Sequence, residues 1–154
     1  MDHLFLIQRH LEPMLEIAAS LGDDRVNEVP DLPGANSAYQ IVFHCCGMFE
    51  WWTREAILGI DVGRDRAAEF EAAGTIALLR RRVRQVVAQF VEDEARIDLD
   101  APLRDGRDEP FAPTARNALL HVLEELAQHH GQLELTRDLL AGEPARGLPG
   151  SRSR

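Results

Sequence analysis

The apolar residues of this chain recur at three- and four-residue steps in four long segments, and this periodicity restricts the fold more than any other feature. Such spacing places apolar side chains on one face of an α-helix. The segments are residues 2–21, 36–58, 74–96 and 114–141. No useful length of chain alternates apolar and polar residues as a half-buried strand does. We therefore expect an all-α fold, an antiparallel four-helix bundle with long loops between its helices.

Capping residues and glycines indicate where these helices begin and end. Asn36 or Ser37 suits the start of the second helix and Thr114 that of the fourth, because short polar side chains accept hydrogen bonds from the free N–H groups of a first turn. Gly59 and Gly142 follow the second and fourth segments. A left-handed glycine at that position commonly ends a helix.

The length of 154 residues fits one domain. We expect the bundle to occupy residues 1–142, because residues 143–154 lack apolar periodicity and predict a flexible tail. Residues 59–74 predict a loop, with a short helix at 66–72 as an alternative. The loop at 97–113 is long enough to cover a site.

Charge and hydropathy exclude some classes of partner. The chain has 17 basic and 26 acidic residues, which gives a net charge of −9. This charge argues against a protein that binds the phosphate backbone of nucleic acids. No apolar run is long enough to span a membrane. The amino terminus has no basic region ahead of its apolar residues, unlike a secretory signal. We therefore expect a cytoplasmic protein without nucleic-acid or membrane partners.

Polar residues with metal-binding chemistry lie at helical spacing. His121, Glu125, His129 and Gln132 form one stripe of the fourth helix, and His44 lies in the apolar second helix. At about 100° per residue, His129 borders the apolar face, Glu125 lies farther out and His121 farther still. Two imidazoles and a carboxylate are a recurrent ligand set for divalent ions. The alternative is a solvated stripe beside a core histidine that bonds a carboxylate or carbonyl.

Two segments carry a family resemblance. NSAYQIVFHCCGMFEWW (36–52) and LLHVLEELAQHHGQLELTRDLLAG (119–142) resemble the signature regions of the DinB-like superfamily. Within it they most resemble the branch of mycothiol-dependent transferases and maleylpyruvate isomerases. RDRAAEFEAAGT (64–75) also resembles a linker of that branch. Where the branch usually has His-x-Gly-His, this chain ends its last motif in Gly131-Gln132.

The resemblance implies a metal-dependent activity. It assigns His44, Glu125 and His129 as ligands of a divalent metal, with zinc as the expected ion and nickel as the alternative. It further implies that a low-molecular-weight thiol is the co-substrate and that its thiolate attacks a small electrophile. A homodimer is compatible with the resemblance.

Four further residues are candidates for the surroundings of that centre. Met48 and Trp51 lie on the side of His44 and are candidates to line a substrate pocket, although core packing is the alternative for both. Gln132 could hydrogen-bond a ligand there, or be solvated. His121, one turn before Glu125, is expected to support the ligands or to lie on the surface.

Two other functions remain open. A DinB-like bundle without catalysis could keep the polar trio as structure and bind small molecules or a partner during stress. A metal-dependent hydrolase is a third option, because an open metal site also activates water. The neighbouring Cys45 and Cys46 are read as small apolar residues, with reactive thiols as the alternative.

Overall fold

The computed structural model describes residues 3–104 and 112–142 of the chain. Regular structure within these residues is helical, apart from an isolated β-bridge between Pro102 and Thr114. The elements are α1 (His3–Ser20), α2 (Gly22–Arg25), α3 (Ala38–Glu50), a π-helical segment (Trp51–Ile57), α4 (Arg66–Glu69), α5 (Ile76–Asp93), a 3₁₀ turn (Glu94–Arg96) and α6 (Ala115–Ala141). The prediction of an all-α fold is confirmed for this part of the chain.

Some predicted segments fall outside this description. The proposed tail at 143–154 and residues 105–111 of the long loop lie outside the described residues. None of the described helices is both long and apolar enough to cross a membrane.

The long helices begin and end where capping chemistry predicts. The Ser37 hydroxyl accepts from Gln40 N and the Gln40 side chain accepts from Ser37 N, a reciprocal pair that satisfies two free N–H groups of α3. The hydroxyls of Thr75 and Thr114 accept from Leu78 N and Asn117 N and so cap α5 and α6. Gly142, at φ +68°, ends α6 in the left-handed conformation that glycine adopts without strain.

The predicted second helix continues to its expected end, but its last part is π-helical. The segment Trp51–Ile57 follows α3 without a break, and the Thr53 hydroxyl donates to the Phe49 carbonyl at 2.8 Å. Gly59, at φ +73°, stands just after this segment. Because nearly every residue in this stretch is buried, the apolar spacing carries no sign of the wider turn.

Helices α3 and α6 run in opposite directions. The His44 ring lies against the His129 ring, while Trp52, two turns farther along, lies against His121. Residue numbers therefore rise along one helix as they fall along the other. This pairing brings the polar stripe of α6 beside His44.

Helices α3 and α5 run in the same direction. Arg82 donates to Glu50 at 2.6 Å, and Arg54, one turn after Glu50, donates to Asp93 at 3.0 Å. A same-direction pair requires a long connection that returns along the first helix. Residues 58–75 provide it.

Helices α1 and α6 also run in the same direction, since His10 contacts His130 while Arg25, beyond the end of α1, donates to the Leu140 carbonyl. The prediction of an antiparallel arrangement is therefore not confirmed for α1/α6 or α3/α5. The physical reason is that the connections are long enough to cross over, which hydrophobic periodicity does not report.

The core lies between the four long helices. Ile7, Leu11, Phe49, Phe90 and Leu126 are fully or almost fully buried, and the rings of Phe49 and Phe90 lie 5.2 Å apart. Burying each such side chain contributes about 1.5–3 kcal/mol. Helix α3 packs against α6 as well as α5, and this packing positions the polar residues described next.

Candidate metal centre

Three of the predicted site residues converge in space. His44 projects from α3, whereas Glu125 and His129 project from α6 one turn apart, and one potential ligand atom of each lies within 4.8 Å of the others. His44 is buried, while Glu125 and His129 are partly exposed. The group therefore lies at the edge of the core with one side toward solvent.

The orientation of His44 is determined by a buried carboxylate. His44 Nδ1 lies 2.7 Å from Oε2 of Glu69, and the two side chains are only 5% and 4% exposed. An ionised carboxylate can only accept a hydrogen bond, so the His44 proton stands on Nδ1. The lone pair of Nε2 is then available to a metal.

Glu69 is itself held by an arginine. Arg64 Nε donates to Oε1 at 2.7 Å and Arg64 Nη2 donates to Oε2 at 2.9 Å, a two-pronged pair. Burial opposes ionisation of Glu69, but hydrogen bonds and charge from Arg64 and His44 outweigh it, so the pKa of this carboxyl is lowered. Glu69 therefore remains an acceptor at neutral pH.

His129 is oriented by an amide on its own helix. Its Nδ1 lies 2.9 Å from Oε1 of Gln132, which accepts the Nδ1 proton, and its Nε2 lies 3.6 Å from Oε2 of Glu125. Gln132 is thus engaged by a candidate ligand, three residues along α6. As with His44, the ring nitrogen that remains to bind a metal is Nε2.

The chemistry of the donor set fits a divalent transition metal. Two imidazole nitrogens and one carboxylate oxygen suit zinc and its neighbours, and three protein ligands leave a position for water or substrate. Glu125 and His129 have 28% and 22% of their side-chain surface exposed, so a small molecule could approach from their side.

His121 lies beside Glu125 and not farther out. Its Nε2 is 3.9 Å from Oε1 of Glu125 and its Nδ1 is 3.5 Å from Glu124, while its ring meets that of Trp52 edge to face. Its side chain is 20% exposed, less than that of Glu125. The helical wheel placed His121 more peripherally because it takes no account of the Trp52 ring that covers it.

Met48 and Trp51, the other proposed pocket residues, are both buried. The Trp51 ring packs edge to face against Trp52 with centroids 4.9 Å apart. A role for these two residues in a substrate pocket stays a prediction.

Cys45 and Cys46 are buried and unbridged. Burial, and next the neighbouring Cys46, raises the pKa of the Cys45 thiol well above its ordinary value. Burial raises the pKa of Cys46 to about 12. Both therefore remain thiols near neutral pH, which fits their interpretation as small apolar residues.

Sequence reasoning missed Glu69 and Arg64. The sequence indicates that a buried imidazole at position 44 needs a hydrogen-bond partner. The apolar pattern does not say which of the 26 acidic residues is that partner. The possible short helix at 66–72 was the nearest signal, and α4 (Arg66–Glu69) lies there.

Comparisons with known proteins bear on this arrangement. The family model described as Mycothiol-S-transferase matches residues 4–142. Comparisons with curated proteins and with solved structures found no match. The matched range takes in the four long helices, apart from the first residue of α1, and the residues that converge at the candidate centre. The chain therefore belongs to the mycothiol S-transferase family.

Proposed function

We propose that this chain is a metal-dependent S-transferase that joins a low-molecular-weight thiol of the mycothiol type to small electrophiles. The observation that carries the proposal is the convergence of His44, Glu125 and His129 within 4.8 Å. Membership of the mycothiol S-transferase family supports the choice of thiol. We place the activity in one four-helix bundle, residues 1–142, in the cytoplasm, where small thiols are kept reduced.

The three ligands would neutralise only part of the charge of a divalent ion. Glu69 and Gln132 accept the Nδ1 protons of His44 and His129, which leaves both Nε2 atoms to bind the ion as neutral imidazole ligands. Glu125 then supplies the only negative charge of the trio, which leaves one net positive charge at the centre. When bound, such an ion stabilises a thiolate near neutral pH.

The reaction requires one bond to form and one to break. The thiolate sulfur donates an electron pair to an electrophilic carbon, and the leaving group departs with the pair of the broken bond. The thiol proton passes to solvent through the exposed side of Glu125 and His129. The residues of this chain bind and orient, and no residue needs to form a covalent intermediate.

Metal analysis and thiol turnover test the proposal together. Purified protein is loaded with Zn²⁺, its metal content is measured, and consumption of mycothiol or glutathione is followed with 1-chloro-2,4-dinitrobenzene. We expect His129→Ala and Glu125→Ala to lose both metal and turnover. Glu134→Ala, an exposed acid of the same helix, should behave like wild type. Metal content that neither ligand substitution changes would overturn the proposal.

Two other functions are separated by the same assay. A binding module without catalysis is favoured by Gln132, which stands where the branch usually has a histidine and whose carbonyl is engaged by His129. It predicts metal binding without thiol consumption. A hydrolase predicts metal-dependent product formation that needs no thiol.

A further inference from the structure

We infer that Glu69 is a positioning residue of the metal centre, which locks His44 with its proton on Nδ1 so that Nε2 faces Glu125 and His129. The inference rests on the proposed function, since it concerns how the same centre is prepared to bind its ion. No contact between Glu69 and the ion is required. The carboxylate acts through His44 alone.

The connection between α3 and α5 is what delivers this carboxylate. Residues 58–75 run back along α3: Val62 N donates to the Glu55 side chain, while Gly74, at the other end of the connection, packs against the Tyr39 ring. Glu69 lies between these contacts, level with His44. A connection of this course must pass the middle of α3, where His44 is.

The short helix α4 is anchored at both ends. The Asp65 side chain accepts from the N–H groups of Ala67 and Ala68, which caps its first turn. After its last residue, the Phe70 carbonyl accepts from Gln40 Nε2 of α3 at 2.6 Å. Glu69 is therefore held on a fixed piece of backbone, as a positioning residue must be.

The residues around Glu69 restrict its carboxylate to one position. Arg64 donates a hydrogen bond to each carboxylate oxygen from one side. On another side lies Gly47 of α3, where an added Cβ would be only 2.9 Å from Cδ of Glu69 and still closer to Oε1. The Phe70 ring packs on His44 with centroids 4.9 Å apart, which limits rotation of the imidazole.

A simple structural role for Glu69, to neutralise Arg64, predicts a different outcome. The Arg64 side chain is 15% exposed against 4% for Glu69, so solvent can partly compensate the charge of Arg64. Oε2 of Glu69 is shared between Arg64 and His44. Loss of the carboxylate should therefore change which nitrogen of His44 carries the proton. A structural role alone does not require such a change.

The first measurement uses metal-free protein. Long-range ¹⁵N–¹H NMR of the His44 ring reports which nitrogen carries the proton. We expect a single Nδ1–H form in wild type and in Glu69→Gln, whose amide oxygen still accepts. Glu69→Ala should populate the Nε2–H form. If Glu69→Ala does not fold, Glu69→Met removes the acceptor while filling the space.

The second measurement is Zn²⁺ affinity by competition with a chelator. Loss of such an outer partner typically costs 10–100-fold in metal affinity. We expect a loss of about this size for Glu69→Ala and a clearly smaller loss for Glu69→Gln. Glu71→Ala, two residues along and exposed, should match wild type.

The outcomes separate the inference from the proposed function. An unchanged His44 tautomer in Glu69→Ala, or a Zn²⁺ affinity equal to that of Glu71→Ala, would overturn the inference and leave the transferase proposal intact. Wild type that binds no Zn²⁺ would overturn the proposed function. The NMR measurement would still decide whether Glu69 sets the tautomer.

Discussion

The imidazole rings of His44 and His129 meet edge to face, with centroids 4.9 Å apart and planes at 78°. The Nδ1 atom of each ring is engaged by another residue, Glu69 for His44 and Gln132 for His129. Two unsupported imidazoles at this distance would be free to rotate or to bond each other. On our inference, the oxygens of Glu69 and Gln132 restrict this rotation and leave both Nε2 atoms available to a metal.

A bound metal should stabilise the folded chain. Zn²⁺ at 100 times its dissociation constant is expected to add about 2.7 kcal/mol to the free energy of unfolding, because the unfolded chain does not assemble the trio. Thermal unfolding with Zn²⁺ and then with a chelator measures this. His129→Ala should unfold at the same temperature under both conditions, and a retained shift would contradict the assignment.

Gly47→Ala should destabilise the chain. Its Cβ would overlap the buried Glu69 carboxylate, and overpacking of this kind typically costs about 1–3 kcal/mol. Urea unfolding of the metal-free protein measures the loss. Because Glu69 must shift, Zn²⁺ affinity should fall as well.

Gly131→Ala is the matched control for this substitution. It also lies inside a helix near the candidate ligands, but a Cβ there meets open space. Alanine in a helix interior is favoured over glycine by roughly 0.5–1 kcal/mol, so this variant should be more stable than wild type. Equal losses in both glycine variants would show that contact with Glu69 is not the cause.

Asp93 ties the π-helical segment to the end of α5. This buried carboxylate accepts from Arg54 at 3.0 Å, from Arg96 at 2.9 Å and from Gln89 at 3.2 Å. Asp93→Ala should lower the free energy of unfolding by about 1–3 kcal/mol, toward the lower end because the Arg96 side chain is exposed to solvent. Glu92→Ala, next in sequence but exposed, should stay within about 0.5 kcal/mol of wild type.

His10 should make stability fall at acidic pH. Burial, and then the charges of His130 and Arg9, lower the pKa of His10 below its ordinary value of 6.5. The unfolded chain therefore takes up this proton at a higher pH than the folded chain. The contribution of His10 is absent above the ordinary pKa and becomes unfavourable as pH falls through 6.5 toward the folded pKa.

Urea unfolding at several pH values from neutrality downward measures this effect. We expect His10→Gln to lose less stability than wild type over the same range, because glutamine does not titrate and can still hydrogen-bond His130. Equal slopes in the two proteins would show that His10 is not responsible.

The local features of this fold were readable because they depend on neighbours in the chain. Ser37 and Thr114 cap their helices with hydroxyls that reach only three residues ahead. The pairing of Glu125 with His129 has the same origin, since residues four apart share one face of a helix. The π-helical turn after α3 was missed because its hydrogen bonds leave no mark on the spacing of apolar residues in a segment that is mostly buried.

The sequence by itself determined the helices, their ends and the polar stripe of α6, since spacing and capping act within a few residues. Only the tertiary structure decided that α3 and α5 run in the same direction and that the returning connection brings Glu69 to His44. Contacts between residues far apart in the chain depend on helix direction and on the course of loops. Apolar periodicity specifies neither, because it records which face of a helix is buried and not against what.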